Sequence, residues 1–449
     1  MVKVPLPFPV PHATVPFWRT ELHKLDSHRS TPDLPHKQDI IIIGAGFAGA
    51  ALAYYLSKNT SAHKPSITVL EAREACSGAT GRNGGQLRPD IFNGAASRMK
   101  QHGLEVANEV ARFELENTKV LTDLIKSEGI DCDFTPVVSG AAFVDEAQAA
   151  DAKILWDDML RKGSPALKNV TYYGPEDAER ISGARGAVAL YAFSSAVIWP
   201  YKMVMHLLEA AVEAGINLQT HTMVHAVSPE ADSEGYWTLN TTRGAVKARR
   251  IVFASNGYTG GLLAEYADAI SPSRGTCARV KATAVGGPLP QLSSCGVVVK
   301  SPNTMDSYWG ARPDGSFIVG GAGSYRDKPE LWKGNFDDAS LIEPAVPFFE
   351  QWASKNLVGW EDSETKVENV WTGIMGYTSD DLPHVGPVPG KTGLYICAGF
   401  IGHGMPNVLL SAKAIAKLLT DGSPLTESGV PACYETCLER LRKARLDHH

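Results

Sequence analysis

The clearest hydrophobic pattern near the start of the chain changes from that of a strand to that of a helix. Residues 40–43 are four consecutive isoleucines, which predict a strand buried on both faces. An alanine-rich stretch up to Leu56 follows and is typical of a closely packed helix. Residues 67–70 are again apolar or β-branched and predict a second strand. Together these segments predict a β-α-β unit in a parallel sheet.

Further along the chain, helical and extended patterns alternate. Apolar residues at helical spacing predict helices at residues 104–125, 146–160 and 201–214. Short extended stretches predict strands at residues 216–220, 223–227, 236–240, 251–254, 296–300 and 316–320. A last buried strand at 394–398 leads through Gly399, Gly402 and Gly404 into an amphipathic helix that ends at Gly422.

Composition and charge exclude several classes of function. With 44% hydrophobic residues and a net charge of -6, the chain is an ordinary globular protein without electrostatic support for binding nucleic acid. No apolar run approaches the ~20 residues that span a membrane, and the prolines of the first eleven residues are incompatible with a signal peptide. Seven cysteines without paired spacing indicate reduced thiols and no metal site. We therefore expect a cytoplasmic protein, since the C-terminus also lacks a peroxisomal signal.

A glycine motif joins the first predicted strand to its helix. Gly44, Gly46 and Gly49 form G-x-G-x-x-G, which permits a tight turn and a close approach of backbone to phosphate at a helix N-terminus. Glu71 follows the second strand at slightly more than the usual ~20 residues and can accept hydrogen bonds from a ribose. The segment therefore predicts a dinucleotide site. The alternative is an ordinary β-α-β unit that carries the pattern by chance.

A second glycine-rich loop, residues 76–86, follows Glu71. Ser77 and Thr80 can hydrogen-bond phosphate oxygens, and Arg82 adds a positive charge. The alternative is a flexible surface loop. The density of glycine beside a ribose-binding acid favours a cofactor that lies flat against the backbone.

Several motifs in a fixed order resemble those of the D-amino-acid-oxidase-like (DAO) FAD-dependent oxidoreductases. Within that family the chain looks most like the branch of γ-glutamylputrescine oxidase and its fungal paralogues. The resemblance covers nearly the whole chain beyond its proline-rich start. The matching segments are Glu71 with the loop at 76–86, and residues 195–201, 254–258, 371–386 and 399–405.

The resemblance implies an α/β fold with two domains, as the length of 449 residues also suggests. One is a Rossmann-like FAD-binding domain of the glutathione-reductase type, and the other is an inserted α+β substrate domain built on an antiparallel sheet. The implied boundaries are 1–38 for a Pro-rich N-terminal arm, 39–100, 190–275 and 365–449 for the FAD-binding domain, and 101–189 and 276–364 for the substrate-binding cap.

FAD is favoured over NAD because the predicted site is assembled from both ends of the chain. Only one G-x-G-x-x-G follows a strand, since Arg326 stands where the third glycine of the cluster at 320–323 would be, so we expect the electrons to come from an organic substrate and not from NADPH. The residues expected at the cofactor are Gly44, Gly46, Phe47, Ala48, Gly49, Glu71, Ala72, Arg73, Ser77, Gly78, Thr80, Arg82, Asn83, Gly84, Gly85, Gln86, Val224, Ser255, Asn256, Gly257, Gly373, Gly402, His403, Gly404 and Met405.

The implied chemistry is oxidation of a C–H bond next to nitrogen, with hydride transfer to flavin N5 and release of H2O2 after reaction with O2. Backbone amides at residues 402–405 would stabilise the negative charge that develops on the flavin. The implied partners are a small amine and O2, in a monomer or homodimer. Candidate catalytic residues are His403, Tyr308 and Trp371. Candidate substrate contacts are Tyr308, Trp309, Arg312 and Tyr377; alternatively, the aromatic residues belong to the core and Arg312 lies in a surface turn.

Three positions depart from the sarcosine oxidases of the same family. Pro406 and Ile318 stand where those enzymes carry lysines for substrate and oxygen, and Met375 stands near their flavin-linking cysteine. The departures favour non-covalent FAD and weaken the case for sarcosine and for reaction with oxygen. Two alternatives therefore remain: an FAD-dependent dehydrogenation or ring-forming oxidation in a fungal biosynthetic pathway, and a non-catalytic dinucleotide-binding protein.

Overall fold

The structure is a computed structural model that describes residues 6–58, 64–90, 92–283, 297–301, 304–321, 325 and 328–447. The start of the Pro-rich arm (residues 1–5), Arg326, part of the 320–323 cluster, Gly296 and the two terminal histidines lie outside the described residues.

Helices and strands alternate along the described residues. The helices are α1 (Phe47–Ser57), α2 (Asn93–His102), α3 (Leu104–Ser127), α4 (Glu146–Arg161), α5 (Pro175–Ser182), α6 (Pro200–Glu213), α7 (Val346–Glu350), α8 (Trp352–Asn356), α9 (Val408–Asp421) and α10 (Leu438–Asp447). The strands are β1 (Lys37–Ile43), β2 (Ile67–Leu70), β3 (Gln86–Leu87), β4 (Thr135–Phe143), β5 (Thr171–Tyr173), β6 (Ala189–Val197), β7 (Asn217–Gln219), β8 (Val224–Val227), β9 (Trp237–Thr241), β10 (Gly244–Phe253), β11 (Ile270–Thr283), β12 (Val297–Ser301), β13 (Thr304–Ala311), β14 (Phe317–Gly320), β15 (Glu364–Thr378), β16 (His384–Pro387) and β17 (Leu394–Ala398).

The first sheet is built around the isoleucine strand. Its order is β16-β17-β10-β1-β2-β7, and the strands from β17 to β7 are parallel. The side chains of Ile40, Ile41 and Ile42 are fully buried because the sheet is covered on both faces, with α1 packed against α6 and α9 on one of them. The predicted β-α-β unit is confirmed. The carboxyl ends of β1, β2, β10 and β17 meet at one edge, where ligands bind in sheets of this kind.

The second sheet has the order β15-β11-β14-β13-β12-β4-β6-β3, and every pair is antiparallel except β12 with β4. The predicted α/β fold with a second, largely antiparallel sheet is confirmed. Three of its strands, β3, β6 and β15, come largely from segments that the sequence assigns to the FAD-binding domain, and β11 crosses the boundary expected at residue 275. The exact domain boundaries stay a prediction.

The periodic segments form the predicted elements with small shifts. The helices predicted at 104–125, 146–160 and 201–214 are α3, α4 and α6, each within two residues of the expected bounds. The helix predicted to end at Gly422 is α9, and Gly422 adopts a left-handed φ of 75° as its C-cap. The pattern did not predict α2, α5 or the long strands β11 and β15.

Two classes of feature are absent from the described part of the chain. No helix there combines the length and apolarity needed to cross a membrane. Nor do those residues bring together three or more His, Cys, Asp or Glu side chains as a metal site would require. The six described cysteines are free thiols.

His384 predicts a dependence of stability on acid pH. Its ring is buried in β16, 5.3 Å edge-on from Tyr266, and Nδ1 lies 3.1 Å from the Thr436 hydroxyl oxygen. Burial, assisted by Arg440, lowers the pKa of His384 to about 3. Between about pH 6.5 and 3, His384 is therefore protonated in the unfolded chain and neutral in the folded protein.

Unfolding free energy should consequently fall by about 1.4 kcal/mol per pH unit through this group as the pH drops below ~6.5. Urea unfolding of the wild type and of His384→Asn at pH 7, 6, 5 and 4 measures the difference in slope. Asparagine can keep a hydrogen bond to Thr436 but does not titrate, so its slope should be shallower by that amount. Equal slopes would contradict the assignment.

Candidate active site

A cavity of about 830 Å³ opens at the edge where the parallel strands of the first sheet end. Its volume lies near the top of the range of ~300–1,000 Å³ found for ligand sites. The loops after β1, β2, β10 and β17 contribute Gly44, Glu71, Ala254 and Phe400 to its wall. Strands β11, β13 and β15 of the second sheet close it from the other side. The cavity is therefore bounded by both sheets.

The glycines of the first loop are required by close backbone contacts. Gly44 has φ 108°, and a Cβ there would lie 2.7 Å from the carbonyl oxygen of Ala254. A Cβ on Gly49 would lie 1.8 Å from the carbonyl oxygen of Gly44. Gly46 is different, because it caps α1 and faces the cavity. The motif thus brings the N-terminus of α1 to the cavity wall.

Glu71 is fixed by the backbone on both sides. Its Oε2 accepts a hydrogen bond from the Ala45 amide at 2.8 Å, and Oε1 accepts one from the Arg73 amide at 3.0 Å. Each carboxylate oxygen has a second lone pair. Glu71 lines the cavity and can still accept hydrogen bonds from ribose hydroxyls.

Two arginines share one buried carboxylate beside this edge. Arg73 binds Asp338 through two hydrogen bonds of 2.9 and 3.0 Å, and Nε of Arg82 lies 3.6 Å from the same carboxylate. Burial, with repulsion from Arg73, lowers the pKa of Arg82 to about 10. Asp338 is fully buried and balances only one of the two cations. The group formed by Arg73, Arg82 and Asp338 therefore carries a net positive charge.

Several buried donors in the same wall make no hydrogen bond with any of the residues that the structure describes. They are Nε of Arg73, Nε of Arg274 and the hydroxyl of Tyr258, and all three residues line the cavity. A buried donor without an acceptor costs about 1–3 kcal/mol. The diphosphate of FAD offers negative charge and many acceptor oxygens. The donor set and the charge therefore fit this cofactor.

The loop after β10 is fastened to the loop after β17. Oδ1 of Asn256 accepts hydrogen bonds from the amides of Gly399 at 3.0 Å and Phe400 at 3.1 Å. A Cβ on Gly257 would lie 2.7 Å from the carbonyl oxygen of Met375 in β15. The middle of the chain and its C-terminal part are thus tied together at the cavity.

Tyr308 stands between two glycines. A Cβ on Gly84 would lie 2.4 Å from its ring, and one on Gly320 would lie 2.2 Å from it. The Tyr308 hydroxyl lies 3.1 Å from Sγ of Cys277. Burial raises the pKa of Tyr308 well above its usual value, so the hydroxyl keeps its proton. Tyr377 also lines the cavity, beside Gly402.

A buried group of charges supports the closing loop. Nε2 of His403 lies 3.1 Å from Oε2 of Glu114 in α3, and Arg98 in α2 lies 3.5 Å from Oε1. The same Oε2 accepts the Asp90 amide at 2.7 Å. Burial alone would raise the pKa of Glu114, but His403 and Arg98 bring it below its usual value. Glu114 is therefore a carboxylate, and His403 donates to it through Nε2.

Most of the predicted site residues line this one cavity. They are Gly44, Gly46, Phe47, Ala48, Glu71, Ala72, Arg73, Gly78, Thr80, Arg82, Asn83, Gly84, Gln86, Val224, Ser255, Asn256, Gly373, Gly402, His403, Gly404, Met405, Tyr308 and Tyr377. Seven others lie behind its wall: Gly49, Ser77, Gly85, Gly257, Trp309, Arg312 and Trp371.

The last three of these belong to the core. Nε1 of Trp371 donates to the carbonyl oxygen of Arg82 at 2.8 Å, so it supports the glycine-rich loop from behind. Trp309 is buried with its ring 5.1 Å from that of Trp352. Arg312 forms an ion pair with Asp133 and stacks over Trp18. Trp309 and Arg312, predicted to contact substrate, and Trp371, predicted to be catalytic, do not reach the cavity.

Sequence reasoning missed several cavity residues. Arg88, Asp90, Arg98 and Arg274 line it without belonging to any recognised motif. Glu114, behind them, had a detectable signal: it lies on the buried face of α3 among apolar side chains, where a charge requires a partner. Of the three positions that depart from sarcosine oxidases, Met375 and Pro406 line the cavity, whereas Ile318 is buried in β14 away from it.

Comparisons with known proteins agree with this geometry. The γ-glutamylputrescine oxidoreductase of Escherichia coli K12 is 24% identical over 388 residues, which cover 85% of this chain and 83% of the relative. The glycine oxidase of Geobacillus kaustophilus is 24% identical over 399 residues, covering 86% and 94%. A crystal structure of glycine oxidase from that organism covers 90% of this chain and 99% of its own at 22% identity, with a TM-score of 0.70.

The L-proline dehydrogenase structure from P. horikoshii has a TM-score of 0.69 at 19% identity and covers 92% of this chain and 99% of its own. The model of the family described as DAO, FAD dependent oxidoreductase, matches residues 39–418. That match spans most of the chain and includes both glycine-rich loops and the closing loop. The chain therefore belongs to the DAO family of FAD-dependent oxidoreductases.

Proposed function

We propose that the protein oxidises a small amine or amino acid at the carbon next to nitrogen, holds FAD non-covalently and passes the electrons to O2, releasing H2O2. The observation that carries the proposal is one cavity that is lined both by the dinucleotide loop and by Tyr308, Tyr377 and His403. The names of three relatives support an amine as substrate. They are glycine oxidase, γ-glutamylputrescine oxidoreductase and L-proline dehydrogenase, and the compound in each name contains an amine nitrogen.

The chain's own residues divide the work of binding. Glu71 would hold the ribose, and Arg73 with Arg274 would hold the diphosphate. The bound FAD supplies a hydride acceptor. The loop at residues 402–405, which leads into the N-terminus of α9, would offer backbone amides to the ring that becomes negative.

The substrate end orients a neutral amine. Tyr308 keeps its proton, so it can donate a hydrogen bond but cannot act as a base near neutral pH. Its ring is fixed between Gly84 and Gly320, which limits where a substrate can lie. Such a wall favours catalysis by orientation of a substrate carbon toward the acceptor.

The sulfur atoms of the cavity support the non-covalent binding of FAD. Met375 is a thioether without a proton to lose. Burial raises the pKa of Cys277 to about 11 and that of Cys397 to about 12, so both thiols stay protonated. A thiol in this state is a poor nucleophile. Acid precipitation should therefore release all the flavin into the supernatant.

A dehydrogenase that uses another electron acceptor is the second candidate. The relative named L-proline dehydrogenase favours it, because its structure covers 92% of this chain with a TM-score of 0.69. Oxidase and dehydrogenase differ only in where the electrons go.

The test is anaerobic bleaching of the purified holoprotein by an amine panel. We expect flavin absorption bands that one member of the panel bleaches within seconds to minutes; the panel contains a polyamine, an N-methyl amino acid, a D-amino acid and a cyclic imino acid. Admission of air should restore the bands with one H2O2 per substrate. Recovery only with an artificial acceptor would favour the dehydrogenase. Bands that no amine bleaches would contradict the proposal and leave a binding protein.

A further inference from the structure

The segment before the first strand lies against the cofactor cavity. Residues 7–14, here called the strap, precede the stretch at 39–418 that matches the family. Phe8 and Pro9 in the strap line the cavity. The carbonyl oxygen of Pro7 and the ring of Phe8 lie against Gly261, where a Cβ would meet them at 2.5 and 3.3 Å. The strap therefore closes one side of a cavity whose other walls the family motifs provide.

Two hydrogen bonds fasten the strap to the cationic wall. Nη1 of Arg73 donates to the carbonyl oxygen of Val10 at 3.1 Å. The amide of Thr14 donates to the carbonyl oxygen of Asp338 at 2.8 Å. Arg73 is one of the two arginines that we assign to the diphosphate, and Asp338 is its ion-pair partner.

The Thr14 side chain holds the strap through several hydrogen bonds to the rest of the protein. Its hydroxyl oxygen accepts hydrogen bonds from Nη1 of Arg82 at 3.1 Å and from the Thr372 amide at 3.0 Å. The hydroxyl proton is donated to the carbonyl oxygen of Asp338 at 3.0 Å. One donor and two lone pairs are all that a hydroxyl offers, so every one of them is used.

The alternating prolines reduce the conformational entropy that the strap loses when it docks. Pro7, Pro9 and Pro11 restrict the strap to extended conformations before it docks. Less conformational freedom is then lost when it lies over the cavity.

We propose that the strap is part of the FAD site and that Thr14 is the positioning residue that holds both the strap and Arg82 in place for the cofactor. Strap docking and FAD binding then stabilise each other, because both use Arg73, Arg82 and Asp338. The coupling is reciprocal. If the docked strap raises the affinity for FAD by a given factor, bound FAD raises the equilibrium constant of strap docking by the same factor.

The first experiment compares FAD affinity in Thr14→Val and Thr14→Ser. Apoprotein is titrated with FAD, and the dissociation constant is read from the change in flavin fluorescence. Valine has the shape of threonine but leaves the Thr372 amide without an acceptor and removes one of the two acceptors of Nη1 of Arg82, so we expect affinity to fall roughly tenfold or more. Serine keeps the hydroxyl and should stay within about threefold of the wild type. Wild-type affinity in Thr14→Val would overturn the role of Thr14.

The second experiment removes the strap wall and keeps Thr14. Deletion of residues 2–13, and separately Phe8→Ala, should speed the release of FAD while the thermal midpoint of the apoprotein stays close to wild type. In the full chain, FAD should slow hydrogen exchange at the Thr14 amide, which donates to the carbonyl oxygen of Asp338 when the strap is docked. Unchanged release in both variants, together with exchange that FAD does not slow, would overturn the proposal. These measurements need no substrate, so a protein that binds FAD through the strap and oxidises no amine would overturn only the proposed function.

Discussion

Gly49→Ala is expected to prevent folding of the first sheet, whereas Gly46→Ala should fold and lose only FAD affinity. The added Cβ of Gly49→Ala would lie 1.8 Å from the carbonyl oxygen of Gly44 and 3.3 Å from the side chain of Ile42. Neither neighbour can move, because Gly44 is itself packed on Ala254 and Ile42 lies in the central strand. Overpacking that can relax typically costs about 1–3 kcal/mol, and this contact cannot relax. The cost is large against a total stability of about 5–15 kcal/mol.

Gly46→Ala is the matched control within the same motif. Gly46 has φ -77°, which alanine adopts without strain, and its Cβ would lie 3.5 Å from the Thr80 hydroxyl oxygen. The new methyl group would instead enter the cavity. Soluble yield and the thermal midpoint, each with and without FAD, separate the two effects. A wild-type midpoint for Gly49→Ala, or an equal loss in both variants, would contradict this division of roles.

The parts of the fold that the sequence predicted are those with a local cause. The isoleucine strand, helix α1 and the capped helix α9 follow from periodicity and from glycines at their ends. Strands β11 and β15 lacked such a cause, because their residues mix polar and apolar side chains over 14 and 15 positions. Their extended form depends on pairing with each other, and that pairing joins segments about a hundred residues apart.

The site, like the fold, was predicted from the sequence only where its residues have a local cause. Glycine-rich loops can be recognised in a sequence because the backbone geometry itself requires glycine, as at Gly44. Whether an aromatic or a cation faces a cavity is decided by distant partners. Arg312 stacks over Trp18 and pairs with Asp133, neither of which is near it in sequence. A local pattern therefore could not assign it to the core.

Glu114 shows how a buried charge determines the geometry of the closing loop, and its loss should be costly. Glu114→Gln removes the charge that pairs with Arg98 and the carboxylate that accepts from His403, while keeping nearly the same volume. Breaking a buried ion pair by removal of one partner typically costs about 3–5 kcal/mol, because the remaining charge is left uncompensated. We expect the unfolding free energy of Glu114→Gln to fall by about 3 kcal/mol in urea titrations near pH 7.

The loop that carries His403 should also be displaced in this variant, since His403 would lose its carboxylate partner at 3.1 Å. FAD affinity should therefore fall together with stability. Glu116→Gln is the matched control: it lies two residues away on the same helix with its side chain exposed, and should change stability by less than about 0.5 kcal/mol. Equal unfolding free energies in the two variants would show that Glu114 does not hold the loop. A large loss confined to Glu114→Gln would instead tie the closing loop to α3, an element that contributes no residue to the glycine motifs.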